Sequence, residues 1–317
     1  MKNKKGLTVF IIFLIVIILL GSANIILSTF GITNSNTKTI KQKDMEKSNW
    51  GYIASVKISG VIEESNEFYN QAWLLNIINK LKNDSSNVAL AIFIDSPGGN
   101  VYQSDEIFLA LKDYKESKKP LYVYMGQMAA SGAYYISVAS DKIYANRNTL
   151  TGSIGVIAGH SIDATEFLSK IGIKSTTIHS GKNKTMMNYD EPLTEEQIKI
   201  MQEISDECYQ QFTEIVALER NIPIVELKKI ADGRIFTASQ AKKHNLIDEI
   251  SSYDQMIIDL EKNELFNTYY KIKNFEYQPE FSLANFIFGS ITKTSLGKAI
   301  SSEFQKNSLT YPAFIYK

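Results

Sequence analysis

The chain has 317 residues, 44% of them apolar, enough for one large domain or two small ones with a full core. Its 34 basic residues balance 34 acidic ones, which argues against a nucleic-acid surface as the main business of the protein. A single cysteine, Cys208, excludes an intrachain disulfide, and the three histidines, His160, His179 and His244, are scattered without metal-ligand spacing.

Lys2, Lys4 and Lys5 precede an apolar reach over residues 6–30, long enough to cross a bilayer, which takes about 20 residues. Lysines on its N-terminal side keep that end in the cytoplasm and put the remainder outside the membrane. A cleaved signal peptide is the alternative, because Gly21-Ser22-Ala23 supplies small residues at a cleavable distance. The apolar stretch continues past that point, which favours an uncleaved anchor. Residues 31–49 turn polar with no periodic apolar face and read as a solvated linker.

The folded part is expected over residues 50–265. Residues 52–59 read as a first strand and 68–81 as an amphipathic helix. The run 88–95 is continuously apolar, as the middle of a parallel sheet requires. A helix over 104–114, a strand over 121–125 and a short helix over 134–139 follow. This alternation indicates an α/β layer architecture. Short strands or turns are expected at 142–145 and 151–157, a short helix from Phe167 and Leu168, a strand at 175–179 and a polar loop at 181–192. The longest helix is expected over 194–220, with Ile198, Met201, Ile204, Cys208, Phe212 and Ile215 on one face, to be covered by the core or by a subunit interface. A helix starting at Pro223, the segment 232–237 and a last helix over 253–263 complete the domain, and no role is assigned to residues 266–317.

Two loops carry chemistry. Asp95-Ser96-Pro97-Gly98-Gly99-Asn100-Val101 follows the strongest strand, at the sheet edge where ligands of α/β folds gather. Its paired glycines let the backbone approach a ligand and aim an N–H at a developing oxyanion, a donor worth about 3–4 kcal/mol. Met128-Ala129-Ala130-Ser131-Gly132-Ala133-Tyr134-Tyr135 places Ser131 at a strand-to-helix turn among small neighbours, exposed beside the free N–H groups of the helix start. That is how a nucleophilic serine is presented; a plain helix cap is the other reading. No histidine brings an orienting carboxylate motif. A lysine in Ser180-Gly181-Lys182-Asn183-Lys184-Thr185 would serve as base only if burial lowered its pKa from about 10.4.

In order, these two loops, Thr151-Gly152-Ser153-Ile154-Gly155-Val156, Ser180-Gly181-Lys182-Asn183-Lys184 and Asp232-Gly233-Arg234-Ile235-Phe236-Thr237 resemble the signal peptide peptidase A family in its short, single-unit form. These are membrane-bound bacterial serine peptidases related to the Clp protease and crotonase folds. The resemblance covers residues 50–250 and implies a layered β-α-β spiral behind an N-terminal transmembrane helix. It implies Ser131 as nucleophile, Lys184 as general base and Ser153 as the residue that positions the lysine amine. Gly98 and Gly132 would supply oxyanion N–H groups, and Gly99, Asn100 and Val101 would pair with substrate. Three positions depart from the pattern: Asn245 and Ala133 stand where glycine is common, and Tyr189 where serine and proline often follow.

The expectation is a membrane-anchored Ser/Lys endopeptidase on the extracytoplasmic side that degrades remnant signal peptides and other apolar peptides. It would need no cofactor or metal, bind no nucleic acid and form a homo-oligomeric ring, with Lys184 acting within one protomer or from a neighbour. A crotonase-like acyl-CoA enzyme using the Gly98 loop, and a catalytically silent membrane scaffold, are the competing readings.

Overall fold

A computed structural model describes residues 51–266 and 268–279, and the backbone of 313–315. The expected anchor at 6–30 and linker at 31–49 lie outside the described residues. Among the described residues no helix is long and apolar enough to cross a membrane.

Four parallel strands make the centre. β1 (Tyr52–Ser59) pairs with β2 (Asn87–Ser96), β2 with β4 (Leu121–Ala130), and β4 along its first half with β5 (Lys142–Ala145). Between β2 and β4 lie the short β3 (Gly98–Asn100) and the crossover helix α2 (Val101–Glu116); α1 (Gln71–Asn83) crosses from β1 to β2. Side chains alternate between two cores, as the period of a strand dictates. Leu121, Val123 and Met125 face the larger core, whereas Tyr122 and Tyr124 face the smaller one with Tyr144 and α8 (Tyr253–Glu264). Both faces are covered, which explains the unbroken apolar run of β2.

Local chemistry sets the helix ends. The Asn70 side chain accepts the Trp73 N–H at 2.8 Å and starts α1, whose Leu74, Ile78 and Leu81 are buried at helical spacing. Thr194 and Gln197 form a reciprocal capping box at the head of the long helix that follows the short α4 (Thr165–Lys170). That helix, α5 (Glu195–Glu219), is covered only in part. Phe212 and Val216 are buried, but Ile198 and Ile204 are exposed, so core burial accounts for the C-terminal half of its apolar face alone. The short α6 (Ile224–Lys228) follows Pro223.

The strand expected at 175–179 does not form. Those residues are irregular and exposed, Ile178 to 97%, and among the described residues no strand lies beside them to take up their backbone groups.

β4 changes partner partway along. Its second half pairs with β6 (Leu150–Gly152), which pairs antiparallel with β7 (Ile235–Thr237). The switch follows a register irregularity opposite β2, between Ile94 and Ser96, where Asp95 Oδ1 accepts the Met128 N–H at 3.0 Å. α7 (Ala238–Lys243) ends at a left-handed Asn245, φ 59°, so asparagine there does the work of glycine. β8 (Glu249–Ile250) then joins β5.

The fold also continues past residue 265: β9 (Lys271–Phe275) adds to the free edge of β1 in parallel. β10 (Ala313–Ile315) pairs antiparallel with β3.

Candidate active site

Ser131 sits between β4 and α3 (Gly132–Ser137), with φ 55° and ψ −118°. A non-glycine residue holds such a conformation only where its surroundings over-determine it. Here the Ser131 N–H donates to the Gly152 carbonyl at 2.7 Å, and the Ser131 carbonyl accepts the Tyr135 N–H at 2.9 Å. Thr151 Oγ1 donates to the Ala129 carbonyl at 2.6 Å, tying β6 to the approach strand. The expectation of an exposed serine is corrected: Ser131 is 1% exposed, under a tightly packed turn of small residues. Its Oγ is one of two buried side-chain polar atoms among the described residues with no hydrogen-bond partner; Ser104 Oγ is the other. A buried hydroxyl left unpaired costs about 1–3 kcal/mol, so its retention calls for a functional reason.

The segment 232–237 braces this turn, a role its sequence did not disclose. The Ser153 N–H donates to the Arg234 carbonyl at 2.8 Å, and the Gly233 N–H to the Ile154 carbonyl at 3.0 Å. Ser153 is buried with φ 52°, immediately after the carbonyl that holds Ser131. Beside it opens a cavity of about 490 Å³ lined in part by Gly155, Gln202, Asp206 and Asp232. The Asp232 carboxyl is pulled down to about 2 by its hydrogen bonds and ion pair with Arg234.

The Gly98 loop lies beside the same serine turn. Ser96 pairs with Ala129, two residues before Ser131, and β3 runs beside α3. On one side β3 is bound to Ile62, whose N–H donates to the Gly98 carbonyl at 2.9 Å and whose carbonyl accepts the Asn100 N–H at 2.8 Å. This approach requires glycine at 99, where a Cβ would lie 1.8 Å from the Ile62 carbonyl oxygen. The Gly98 N–H donates to Ser96 Oγ at 3.0 Å. To serve an oxyanion it must release or share that bond. Sequence reasoning missed Ser96 in this role, although serine two residues before the acceptor's partner is a known turn signal. Asn100 caps α2 without a side-chain bond, and Val101 is its first residue.

Gly98, Gly99, Asn100, Ser131, Gly132 and Ser153 thus gather around one turn. Lys184 does not join them. It lies in an exposed loop, and no described side chain, its own included, hydrogen-bonds to Ser131 Oγ. Lys182 is engaged elsewhere, in an ion pair with Glu196 that holds that carboxyl below its ordinary range. Among the described residues no three His, Cys, Asp or Glu side chains cluster as a metal site requires.

The profile of peptidase family S49 matches residues 113–266. A putative signal peptide peptidase SppA of Enterococcus faecium is 35% identical over 219 residues, 67% of this chain and 63% of that protein. A chloroplastic serine protease, SPPA, of Arabidopsis thaliana is 34% identical over 185 residues, 58% of this chain and 27% of that protein. The chain therefore matches less than two thirds of the length of either relative. Among solved structures, a ClpP1 mutant of Listeria monocytogenes has a TM-score of 0.41 and 20% identity, covering 63% of this chain and 92% of that one.

Proposed function

Because the chain belongs to peptidase family S49, we propose that it is a membrane-anchored serine endopeptidase that cuts apolar peptides, remnant signal peptides among them, outside the cytoplasmic membrane. The observation that carries this reading is Ser131: a serine held at a strained strand-to-helix turn with a buried hydroxyl that none of the described residues satisfies. Ser131 Oγ attacks the scissile carbonyl, neutral Lys184 takes its proton and returns it to the leaving amine, and water hydrolyses the acyl ester. Amides of Gly132, at the start of α3, and Gly98 hold the oxyanion. The substrate lies extended along Gly99, Asn100 and Val101.

We further infer that the lysine comes from a second copy of the chain. Within one chain the dyad is open, since Lys184 is exposed and Ser131 Oγ unpartnered. The stretch leading to Lys184 exposes Ile157, Ile162, Phe167, Ile171, Ile173 and Ile178, an apolar surface of the kind a partner covers. Closure against that partner would also exclude water from the dyad. Ser153 stands next to the Ser131 turn, where it can orient an incoming amine.

The test is covalent labelling of the full-length protein with a serine-directed phosphonate, followed by peptide mapping. Modification at Ser131, abolished in Ser131→Ala, is the expected result; labelling elsewhere or nowhere would count against the peptidase reading. The acyl-CoA alternative uses the Gly98 loop but leaves the unsatisfied Ser131 hydroxyl without a purpose.

A further inference from the structure

The helix that follows the serine turn is too short to hold itself. α3 spans six residues, and an isolated helix of that length is unstable in water, so its neighbours must set its place. Tyr135 reaches two of them at once. Its N–H donates to the Ser131 carbonyl at 2.9 Å, which ties the residue directly to the turn. Tyr135 is fully buried, its ring edge-on to Phe108 of α2 at 5.4 Å and to Phe212 of α5 at 5.1 Å between centroids. Its hydroxyl donates to Asp105 Oδ1 of α2 at 2.6 Å. Gln211 of α5 closes a ring of bonds: its Nε2 donates to the Tyr135 hydroxyl at 2.8 Å and to Asp105 Oδ1 at 3.2 Å.

We propose that Tyr135 is a positioning residue for the reaction at Ser131: its hydroxyl, gripped by Asp105 and Gln211, fixes the rotation of α3 and with it the direction of Ser131 Oγ and the Gly132 N–H. The proposal deepens the peptidase reading and rests on it for the chemistry that is served. Packing alone does not call for the hydroxyl, since phenylalanine would fill the same space between Phe108 and Phe212. A bond to a carboxylate is shorter and stronger than one to a neutral acceptor, which suits it to fixing a helix. Burial, reinforced by Asp105, raises the phenol's pKa, so the donor keeps its proton in neutral and mildly alkaline solution. Small rotations matter at such a site, because a displacement of about 1 Å at the reacting atoms can cost about a hundredfold in rate. The Tyr134 hydroxyl, by contrast, donates to the Leu246 carbonyl at 2.8 Å, beyond the end of α7.

The experiment follows phosphonate labelling of Ser131 and hydrolysis of an apolar reporter peptide in the full-length protein held in detergent. Tyr135→Phe should label to completion but about tenfold more slowly, with kcat lower by a similar factor and KM within about twofold. Asp105→Ala should slow labelling likewise, and Asp105→Asn, which keeps an oxygen to accept the phenol, should recover most of that rate. The double variant Tyr135→Phe/Asp105→Ala should be about as slow as either alone, because both changes remove one bond. Tyr134→Phe, which loses a buried hydroxyl from the same helix, should label within about twofold of the wild-type rate. Labelling of Tyr135→Phe at the wild-type rate overturns the proposal, as does incomplete labelling at that rate, which reports a loss of folded protein alone. Equal slowing in Tyr134→Phe overturns it as well. Hydrogen exchange needs no chemistry at Ser131. The Tyr135 and Val138 amides, bonded to the Ser131 and Tyr134 carbonyls, should exchange about tenfold faster in Tyr135→Phe. Equal exchange overturns the brace. Faster exchange in a protein whose wild type neither labels nor cleaves supports the brace and overturns the peptidase reading instead.

Discussion

Ser131 hangs from Gly152: its N–H donates to the Gly152 carbonyl at 2.7 Å, and Gly152 itself adopts φ 83° against the ring of Phe236. A Cβ at 152 would sit 2.6 Å from Phe236 Cδ2 and would hold a backbone that L side chains rarely adopt. Gly152→Ala should cost about 2 kcal/mol or more, and Ser131 should lose phosphonate reactivity by a larger factor than that loss of fold implies. Parallel thermal melts and labelling rates check this; labelling that survives unchanged would detach the turn from the chemistry.

The same strain makes Ser131 a stability–function trade. Its hydroxyl is buried without a partner and its φ is positive, so each feature costs folding energy. Ser131→Ala should be at least as stable as the wild type, and Ser131→Gly more stable by about 1 kcal/mol, while both abolish peptide hydrolysis. Chemical denaturation of the three proteins measures the difference. A destabilised Ser131→Gly would show that the turn is not strained.

Lys182 and Lys184 separate cleanly. Lys182→Met breaks only the surface pair with Glu196, worth little in water, and should leave kcat within about twofold. Lys184→Met should reduce it by several orders of magnitude. If the lysine acts across copies, mixing Ser131→Ala with Lys184→Met chains restores part of the activity, because some sites pair an intact serine with an intact amine. No recovery on mixing, after subunit exchange is demonstrated, would put the dyad within one chain.

Arg220 clamps the far end of α5. Its guanidinium meets Asp248 through two bonds of 3.0 Å and the Asn245 carbonyl at 2.9 Å, and Asp248 also accepts the Ile143 N–H at 2.7 Å. Arg220→Ala should destabilise by about 2–3 kcal/mol, and Arg220→Lys should recover less than half of that, since an ammonium cannot make the fork. Denaturant midpoints decide.

Alkaline pH should unfold the protein through its buried tyrosines. Burial raises the hydroxyl pKa of Tyr114, Tyr122, Tyr134 and Tyr135 above the ordinary value, with neighbouring carboxylates adding to the effect at Tyr122 and Tyr135. The folded state then favours the neutral phenols. That stabilisation is complete below about pH 10, where unfolded tyrosines begin to ionise, and declines as pH rises above it. Melting temperatures measured from pH 7 to 11 should hold steady and then drop steeply near the upper end.

Much of the central sheet was legible because periodicity is a local property. β1 matches its expected residues, and the uninterrupted apolar run of β2 announced a strand covered on both faces. The serine turn was legible because a run of small residues between a strand and a helix leaves room for a tight turn that larger side chains would obstruct. What could not be read were features set by distant partners. The run at 175–179 has strand-like composition but no partner strand among the described residues. The bracing of Ser153 by the Arg234 carbonyl joins residues 81 positions apart through backbone atoms that carry no side-chain signature. The pairing of residues 271–275 with β1 was hidden likewise, because five residues with two lysines and an asparagine carry too short an apolar pattern to announce a strand.

That last strand bears on how the molecule treats strangers. Lys271 and Lys273 alternate along β9, so any foreign chain approaching there would bring its backbone up against ammonium groups. Gly98 and Gly99, by contrast, carry no side chain to obstruct a pairing strand, and Ala313–Ile315 pairs there. The lysines thus guard the β9 margin of the large sheet against accidental strand pairing, whereas the glycine strand already has its partner.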